Sequence, residues 1–495
     1  MHKRHPHSVR IALATATAAA LTGGLLTFSA VTATAADSAH VPQADFNGDG
    51  IGDVVFSAHA AYVGGHKAAG QIVALYGTAT GVSSAKRSTI SQDTSGVPGT
   101  AEAGDGFGGE TAYADFNKDG FDDLAVAAPW EKVGSDTGGG TVAILWGSAA
   151  GLTGKGVTIA DPSPSSHDYW GKDLAAGDFD GDGRADLAVG SSTSTIYVFK
   201  GGFSTSGTPG GRYTVKPPIQ SGSNDFPYGP LSLTAGDVNG DNRTDLIVDG
   251  FENATGWNTN YFVPGTASGL SAASAQALKA GQITGVGDIN GDGYGDIVSG
   301  AGWDHHTDEG ETIPDSSDGG QANITYGSAS GPAGTTAINQ NTGSVPGTSE
   351  KGDSFGWDLD MGDVNGDGFQ DLVVSAPNED IDGVTNTGMV TVLYGSSSGV
   401  KVSSGTQSFA QSTAGVPGSD EKDDLFGADV KLDDVTGDGR ADLLVGSYEN
   451  AGNGSVTYLP SNGTTITTSG SRTLSPSTSG VSTTGSPQFG ALFAD

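Results

Sequence analysis

The sequence predicts an all-β protein, a seven-bladed β-propeller of four-stranded antiparallel blades whose ring is closed by the C-terminal strand. Three observations carry this reading. A nine-residue acidic loop recurs seven times, each copy sits in the same order of apolar runs, and the two chain ends supply complementary parts of one unit. The loop is clearest at Asp363-Val364-Asn365-Gly366-Asp367-Gly368-Phe369-Gln370-Asp371, with side-chain oxygens at positions 1, 3, 5 and 9 and Gly at 6. Hard cations such as calcium take six to eight oxygen ligands, and the EF-hand calcium loop opens with the same spacing and a Gly turn. Here the last carboxylate stands at position 9, not 12, and the apolar, valine-rich Leu372-Val373-Val374 that follows reads as a strand. Both features argue against a helix-flanked EF-hand.

The other six copies place their side-chain oxygens at Asp45, Asn47, Asp49 and Asp53; Asp115, Asn117, Asp119 and Asp123; Asp178, Asp180, Asp182 and Asp186; Asp237, Asn239, Asp241 and Asp245; Asp288, Asn290, Asp292 and Asp296; and Asp434, Thr436, Asp438 and Asp442. Successive copies start 51 to 75 residues apart, which suits propeller blades and rules out a β-helix of tandem nonapeptides.

Each unit repeats one strand order. An aromatic-Gly pair precedes the loop (Phe107-Gly108, Trp170-Gly171, Tyr228-Gly229, Phe355-Gly356, Phe426-Gly427). A strand such as Leu124-Ala125-Val126-Ala127 follows it. A second apolar run ending in Gly comes next, as in Val390 to Gly395, and then a short turn of the Thr266-Ala267-Ser268-Gly269 type leads to a weaker fourth strand. The loop at Asp45 lacks an aromatic-Gly strand before it, while Phe489-Gly490-Ala491-Leu492-Phe493 has no loop after it. Joining the ends restores the usual eight-residue spacing, so the C-terminal strand is expected to complete the first blade and remove open sheet edges.

Composition narrows the function. The formal charge is −35, from 22 Lys+Arg against 57 Asp+Glu, which argues against nucleic acid or an anionic membrane surface as partner. Gly 82 suits many short strands and turns, and Cys 0 excludes disulfides. Lys3, Arg4 and Arg10 form a basic segment before the apolar stretch Ile11 to Phe28 and the small-residue site Ala33-Thr34-Ala35. Residues 1–35 thus read as a signal peptide, 36–43 as an N-terminal tail and 44–495 as the propeller; no membrane span is expected once the leader is cleaved. The mature chain is expected to be secreted, extracellular and monomeric.

Phe355-Gly356, the Asp363–Asp371 loop and Ser375-Ala376-Pro377, with Phe107-Gly108 and Ala127-Ala128-Pro129, resemble the FG-GAP repeat of the integrin alpha-subunit β-propeller, here of the secreted bacterial type. The resemblance runs over essentially all of residues 44–495. It implies seven blades with calcium in the loops joining the first and second strands, and it speaks to fold far better than to activity. Integrins bind calcium in only some blades, whereas all seven loops here keep the pattern. The expected cofactor is therefore up to seven structural Ca2+ ions, held by the side chains above and by the position-7 carbonyls of Ile51, Phe121, Arg184, Arg243, Tyr294, Phe369 and Arg440. Four departures stand out. Gly281-Gln282-Ile283 replaces the aromatic-Gly of blade five, Asn242 replaces Gly at position 6, Thr436 offers a weaker neutral ligand, and Lys118 occupies a non-ligand position.

On this reading calcium is a staple, and recognition falls to the opposite face, where the inter-blade loops and the loops between strands two and three lie. The resemblance implies that the latter face binds ligand. Three inter-blade loops there read alike: Gly96 to Gly99 with Glu102 and Asp105, Ser344 to Gly347 with Glu350 and Asp353, and Gly415 to Gly418 with Glu421 and Asp424. These suit rigid connectors carrying solvated acids. Trp130 and Trp303 suit either packing or stacking on a sugar ring. The loop from Asp304 to Asp318 suits a solvated segment, a metal site or a partner site. Gly395-Ser396-Ser397-Ser398-Gly399 resembles a hydrolase nucleophile elbow, but it occupies a strand-connecting turn with no helix after it. No catalytic residue is assigned. The expected function is an extracellular binding or adhesion module for glycans or proteins, the alternative being a carbohydrate-active hydrolase or lyase with acids on the face opposite the calcium loops.

Overall fold

The computed structural model describes residues 43–222, 228–307 and 310–494. The expected signal peptide, and the expected tail apart from Gln43, lie outside the described residues. Seven antiparallel meanders follow one another along the chain. Blade two pairs Glu110–Ala114, Asp123–Ala128, Thr141–Leu145 and Gly156–Ile159; blade three Leu174–Gly177, Asp186–Val189, Ile196–Lys200 and Gly211–Val215; blade four Ser232–Gly236, Asp245–Phe251, Asn258–Val263 and Gln276–Ala277. Blade five pairs Ile283–Gly287, Asp296–Ala301, Gln321–Thr325 and Thr335–Ile338; blade six Leu359–Gly362, Asp371–Ala376, Met389–Leu393 and Gln407–Phe409; blade seven Asp429–Asp433, Asp442–Ser447, Ser455–Leu459 and Arg472–Leu474. The one α-helix among the described residues is the single turn Glu449–Gly452.

Blade one shows how the ring closes. Its own strands are Val54–Ala58, Gln71–Leu75 and Arg87–Ile90, and the C-terminal segment adds the innermost one. Gly490 N–H donates to the Ser57 carbonyl at 3.0 Å, Ser57 N–H to that of Leu492 at 2.7 Å, and Ala494 N–H to that of Val55 at 2.9 Å. The first of these is the bond that the Gly of an aromatic-Gly pair makes in other blades, as Gly108 does to Ala127 and Gly356 to Ser375, both at 2.9 Å. Gly490 has φ +79°, a conformation a side chain rarely adopts. Phe489 is fully buried and meets Phe56 edge to face at 4.8 Å, in the core cluster shared by blades one and seven.

Second strands such as Asp371–Ala376 are buried along their whole length because neighbouring blades cover both faces, which is why they read as unbroken apolar runs. Phe107, Trp170, Phe355 and Phe426 are buried in the same way as Phe489. In blade five, polar side chains tie down the stretch where the aromatic-Gly pair is missing. Asn258 Oδ1 accepts the Gly281 N–H, while Asn323 and Asn260 donate to the carbonyls of Ala280 and Lys279, each at 3.1 Å.

The meander sorts the connections onto two ends. The acidic loops join strands one and two and share their end with the turns between strands three and four, where Ser148 N–H donates to the Phe46 carbonyl at 3.1 Å. At the other end the inter-blade loops meet the loops between strands two and three, as in Gly104 N–H to Lys67 C=O at 3.0 Å. The first strands surround a cavity of about 100 Å³ lined in part by Leu174, Leu233, Val286 and Met361, with the Lys431–Asp360 pair at 3.8 Å on its wall. No helix among the described residues is long and apolar enough to cross a membrane.

If the C-terminal strand carries the closure, Phe489→Ala should cost about 3–5 kcal/mol, the usual range for emptying a buried phenylalanine site. Gly490→Val, whose Cβ would lie 2.4 Å from Val456 Cγ2 at positive φ, should also destabilise strongly. Urea midpoints of the two variants check this; wild-type midpoints for both would mean that closure lies elsewhere.

Candidate metal centre

Each acidic loop is built around its first Asp. Asp363 Oδ1 accepts the N–H groups of Gly366 at 2.7 Å and Asp367 at 3.2 Å, and its Oδ2 that of Gly368 at 2.9 Å. Asp45, Asp115, Asp178, Asp237, Asp288 and Asp434 accept the position-5 and position-6 N–H groups of their own loops in the same manner. This requires a left-handed residue at position 6. Gly368 has φ +86°, and Asn242 meets the requirement at +60°, as an asparagine can. The position-5 Asp accepts the position-7 N–H in six loops, for example Phe369 N–H to Asp367 Oδ1 at 3.1 Å. Position 2 is apolar and buried in all seven, from Phe46 to Val435, and fastens the loop to the core.

The position-9 Asp is the best-buried acid of each loop. One oxygen accepts an N–H one or two residues beyond the third strand, that of Gly77, Gly147, Gly201, Gly265, Gly327, Gly395 or Ser461, at 2.7 to 2.9 Å. Burial above all drives these carboxyls upward, and the position-1 and position-5 carboxylates add to it while the backbone N–H bonds oppose it. Asp53 and Asp123 reach about 8. Asp186, Asp245, Asp296, Asp371 and Asp442 reach about 7.

The loops are linked around the ring. The position-8 N–H of one loop donates to the position-1 carbonyl of the preceding loop at Asp122–Asp45, Thr244–Asp178, Gly295–Asp237, Gln370–Asp288, Ala441–Asp363 and Gly52–Asp434, at 2.8 to 3.1 Å. The last of these crosses from blade seven to blade one. Position-7 side chains also reach across blades, lying over the position-4 glycine of the loop before. A Cβ on Gly48 would lie 2.7 Å from the Phe121 ring, and one on Gly291 2.7 Å from that of Phe369.

The donor chemistry fits a hard divalent cation. In the third loop one oxygen each of Asp178, Asp180 and Asp186 lies within 4.8 Å of the other two, and there the Lys200 ammonium already stands 2.6 Å from Asp180. Asp186 Oδ2 and Asn117 Oδ1 are buried without a hydrogen-bond donor. Two position-3 residues face elsewhere. Asn47 turns its amide nitrogen toward both oxygens of Asp53, at 3.3 Å, so its oxygen serves a cation only after the amide turns over. Thr436 donates to Asp434 at 3.1 Å. When bound, a calcium ion would supply positive charge to these carboxylates and oxygen coordination across positions 1, 3, 5, 7 and 9.

On the opposite face the acids work as fasteners. Asp105, Asp353 and Asp424 are buried and accept the N–H groups of Glu102, Glu350 and Glu421 at 2.6, 2.6 and 2.9 Å. Gln92 and Gln340 donate to Glu131 and Glu379 at 2.7 and 2.6 Å, and Gln411 donates to Glu449 in the same way. The inter-blade loops are thus held by the acids that follow them. Trp130 is 46 % exposed and lies against the Gly106 backbone, whereas Trp303 is half-buried. Trp357, 44 % exposed, was not singled out in the sequence because it directly follows an aromatic-Gly pair that reads as core. In the long loop of blade five, His305 Nδ1 lies 3.0 Å from the Ser316 carbonyl, and Asp304 accepts the Gly319 N–H at 2.8 Å. The Ser396 hydroxyl donates to the Gly399 carbonyl at 2.7 Å, which is turn chemistry.

Comparison with known proteins agrees with the repeat. Residues 107–145, 170–204, 280–313 and 355–393 match the FG-GAP repeat, the third stretch starting where blade five lacks its aromatic. Phosphatidylinositol-glycan-specific phospholipase D of Rattus norvegicus is 34% identical over 149 residues, 30% of this chain and 18% of that protein. The Homo sapiens protein of the same name is 31% identical over 221 residues, 42% of this chain and 25% of that protein. Integrin alpha-E of Mus musculus is 34% identical over 116 residues, 22% of this chain and 10% of that protein. The matches span a quarter or less of these relatives' length.

The raised position-9 carboxyls set a pH dependence for the metal-free protein. Their folded pKa of about 7 to 8 lies above the ordinary 3.8, so between those limits the folded state holds protons that the unfolded chain has released. Their contribution is complete below about pH 4 and is lost as pH rises through 7 to 8. The Tm of chelator-treated protein should therefore fall from pH 5.5 to 8, and calcium should flatten that slope. A slope indifferent to calcium would show that these carboxyls do not share a site with the ion.

Proposed function

We propose that this FG-GAP-repeat propeller is a secreted, extracellular binding or adhesion module for a glycan or protein, with calcium as its structural staple. The observation that carries the reading is the use of the seven acidic loops. They form a belt linked at six of its seven junctions at one end, and their first and last carboxylates are spent on backbone N–H groups, so they suit architecture better than turnover. The opposite face is where loops vary in length and where Trp130 and Trp357 expose apolar surface beside carboxylates. Exposed aromatic rings set among acids suit stacking on a sugar or anchoring a protein partner. The name of the phospholipase relatives describes whole proteins of which this chain matches a small part, so their activity is not carried over.

Calcium at ten times its Kd should add roughly 1.4 kcal/mol per filled site. Isothermal titration of chelated protein and Tm measurements with and without calcium check the staple; no heat and no Tm change would end it. For recognition, a glycan array and protein pull-downs identify the ligand class. Trp130→Ala or Trp357→Ala should then weaken binding about tenfold or more at unchanged Tm. Full affinity in the double variant would move the ligand site off this face.

A further inference from the structure

Three departures from the repeat converge on the loop of blade three. At position 3 the other loops carry a neutral ligand, Asn in five and Thr436 in one, whereas this loop carries the charged Asp180. The residue just before the one whose N–H meets the position-9 Asp is Tyr76, Trp146, Pro264, Tyr326, Tyr394 or Pro460 elsewhere, but Lys200 here. Position 4 of the preceding loop is Gly in every other loop but Lys118 in this one. In the structure Lys200 Nζ lies 2.6 Å from Asp180 Oδ2, and Lys118 Nζ donates to the Gly183 carbonyl at 2.8 Å. Two ammonium groups therefore reach the single loop that has a carboxylate at position 3.

The fold explains why position 200 is free to do this. In blade one, the Tyr76 hydroxyl accepts the Leu152 N–H at 2.8 Å and so braces the turn of the next blade. In blade three that task has moved to the fourth strand, where the Tyr213 hydroxyl accepts the Leu270 N–H at 2.9 Å. Lys200 passes over the Tyr213 ring, with Nζ 5.7 Å from its centroid, and turns into the acidic loop. There Asp178, Asp180 and Asp186 gather within 4.8 Å of one another, the only such cluster among the described residues. Like charges this close need a counter-charge, and a fixed ammonium at hydrogen-bond distance supplies one.

Arg243 and Arg440 also meet a carboxylate, but that of position 5 and from within their own loops, whereas Lys200 comes from the third strand onto the position-3 ligand. We infer that Lys200 is a tethered cation that holds the third loop in the role calcium has in the other six, so that blade three is metal-independent. This rests on the calcium reading of those six loops. A divalent ion entering the third loop must first pull Asp180 away from Lys200 and leave the ammonium beside the new charge. The third site is therefore weakest for calcium although its carboxylates are the best gathered.

Native mass spectrometry of calcium-loaded protein counts the ions, and hydrogen exchange reads each loop separately. Wild-type protein should hold at most six ions, and Lys200→Met should hold one more. Exchange needs no variant: in wild-type protein, chelation should deprotect the peptide over 363–371 and leave that over 178–186 unchanged. In Lys200→Met both peptides should become calcium-dependent. Seven ions in wild type, or equal deprotection of the two peptides, would overturn the tethered cation while leaving the calcium reading intact. No uptake and no exchange difference at any loop would overturn both.

Discussion

The hydrogen bond from a backbone N–H just beyond each third strand to the buried position-9 carboxylate is the constraint on which this propeller depends. It is present in all seven blades with nearly the same length. It joins the start of the second strand to the end of the third, and it places a carboxylate where water is excluded. A neutral acceptor would keep the bond without the desolvation cost. An acid is worth keeping there only if something offsets its charge, and two more acids in the same loop make the need larger. The raised position-9 carboxyls are the mark of that conflict, which protonation relieves at low pH and which the proposed cations would relieve at neutral pH.

That constraint is handed around the ring. Because at six of the seven junctions the position-8 N–H of one loop bonds to the position-1 carbonyl of the loop before, those loops are held to their neighbours. The belt crosses the seam between the chain ends through Gly52 and Asp434, and on the same seam Phe489, Gly490 and the segment to Ala494 complete the first blade. Closure thus uses two independent devices, backbone pairing near the axis and loop-to-loop bonding at one end. A chain without cysteines gains from such redundancy, since no disulfide guards the seam.

Much of this was legible in the sequence because it is repetitive. Seven acidic loops, five aromatic-Gly pairs and the mismatch of the two ends led to the blade count, the strand order and the identity of the closing strand, and the structure has all three. What escaped was whatever depends on where a side chain turns. Position 7 was read as a carbonyl donor, yet the rings of Phe121, Phe369 and Tyr294 also lie over glycines of neighbouring loops, a contact between residues far apart in the chain. Lys200 looks like an ordinary strand-end lysine until the fold brings it to Asp180, 20 residues earlier. Trp357 was hidden by its aromatic neighbour. In blade five the missing aromatic stood out as a departure, but only the fold reveals that three asparagines bind the backbone there.

The two ends of the propeller follow opposite rules for a physical reason. At the acidic-loop end, positions 1, 2, 5, 8 and 9 of the nonapeptide bond backbone, enter the core or touch a neighbouring loop, so length and sequence are tightly held. At the other end, the loops between strands two and three carry no such belt, and their length differs several-fold. The segment between Ala301 and Gln321 is long, whereas that between Val189 and Ile196 is short. Blades three, four and seven have short loops and blades one, two, five and six longer ones, which makes that face uneven around the axis. The exposed Trp130 and Trp357 both lie in blades with long loops. A face whose relief varies while its foundation is invariant is the surface on which specificity can change without cost to the fold. The acidic nonapeptide is the most conspicuous motif in the chain, and its work is to make that freedom possible at the far end.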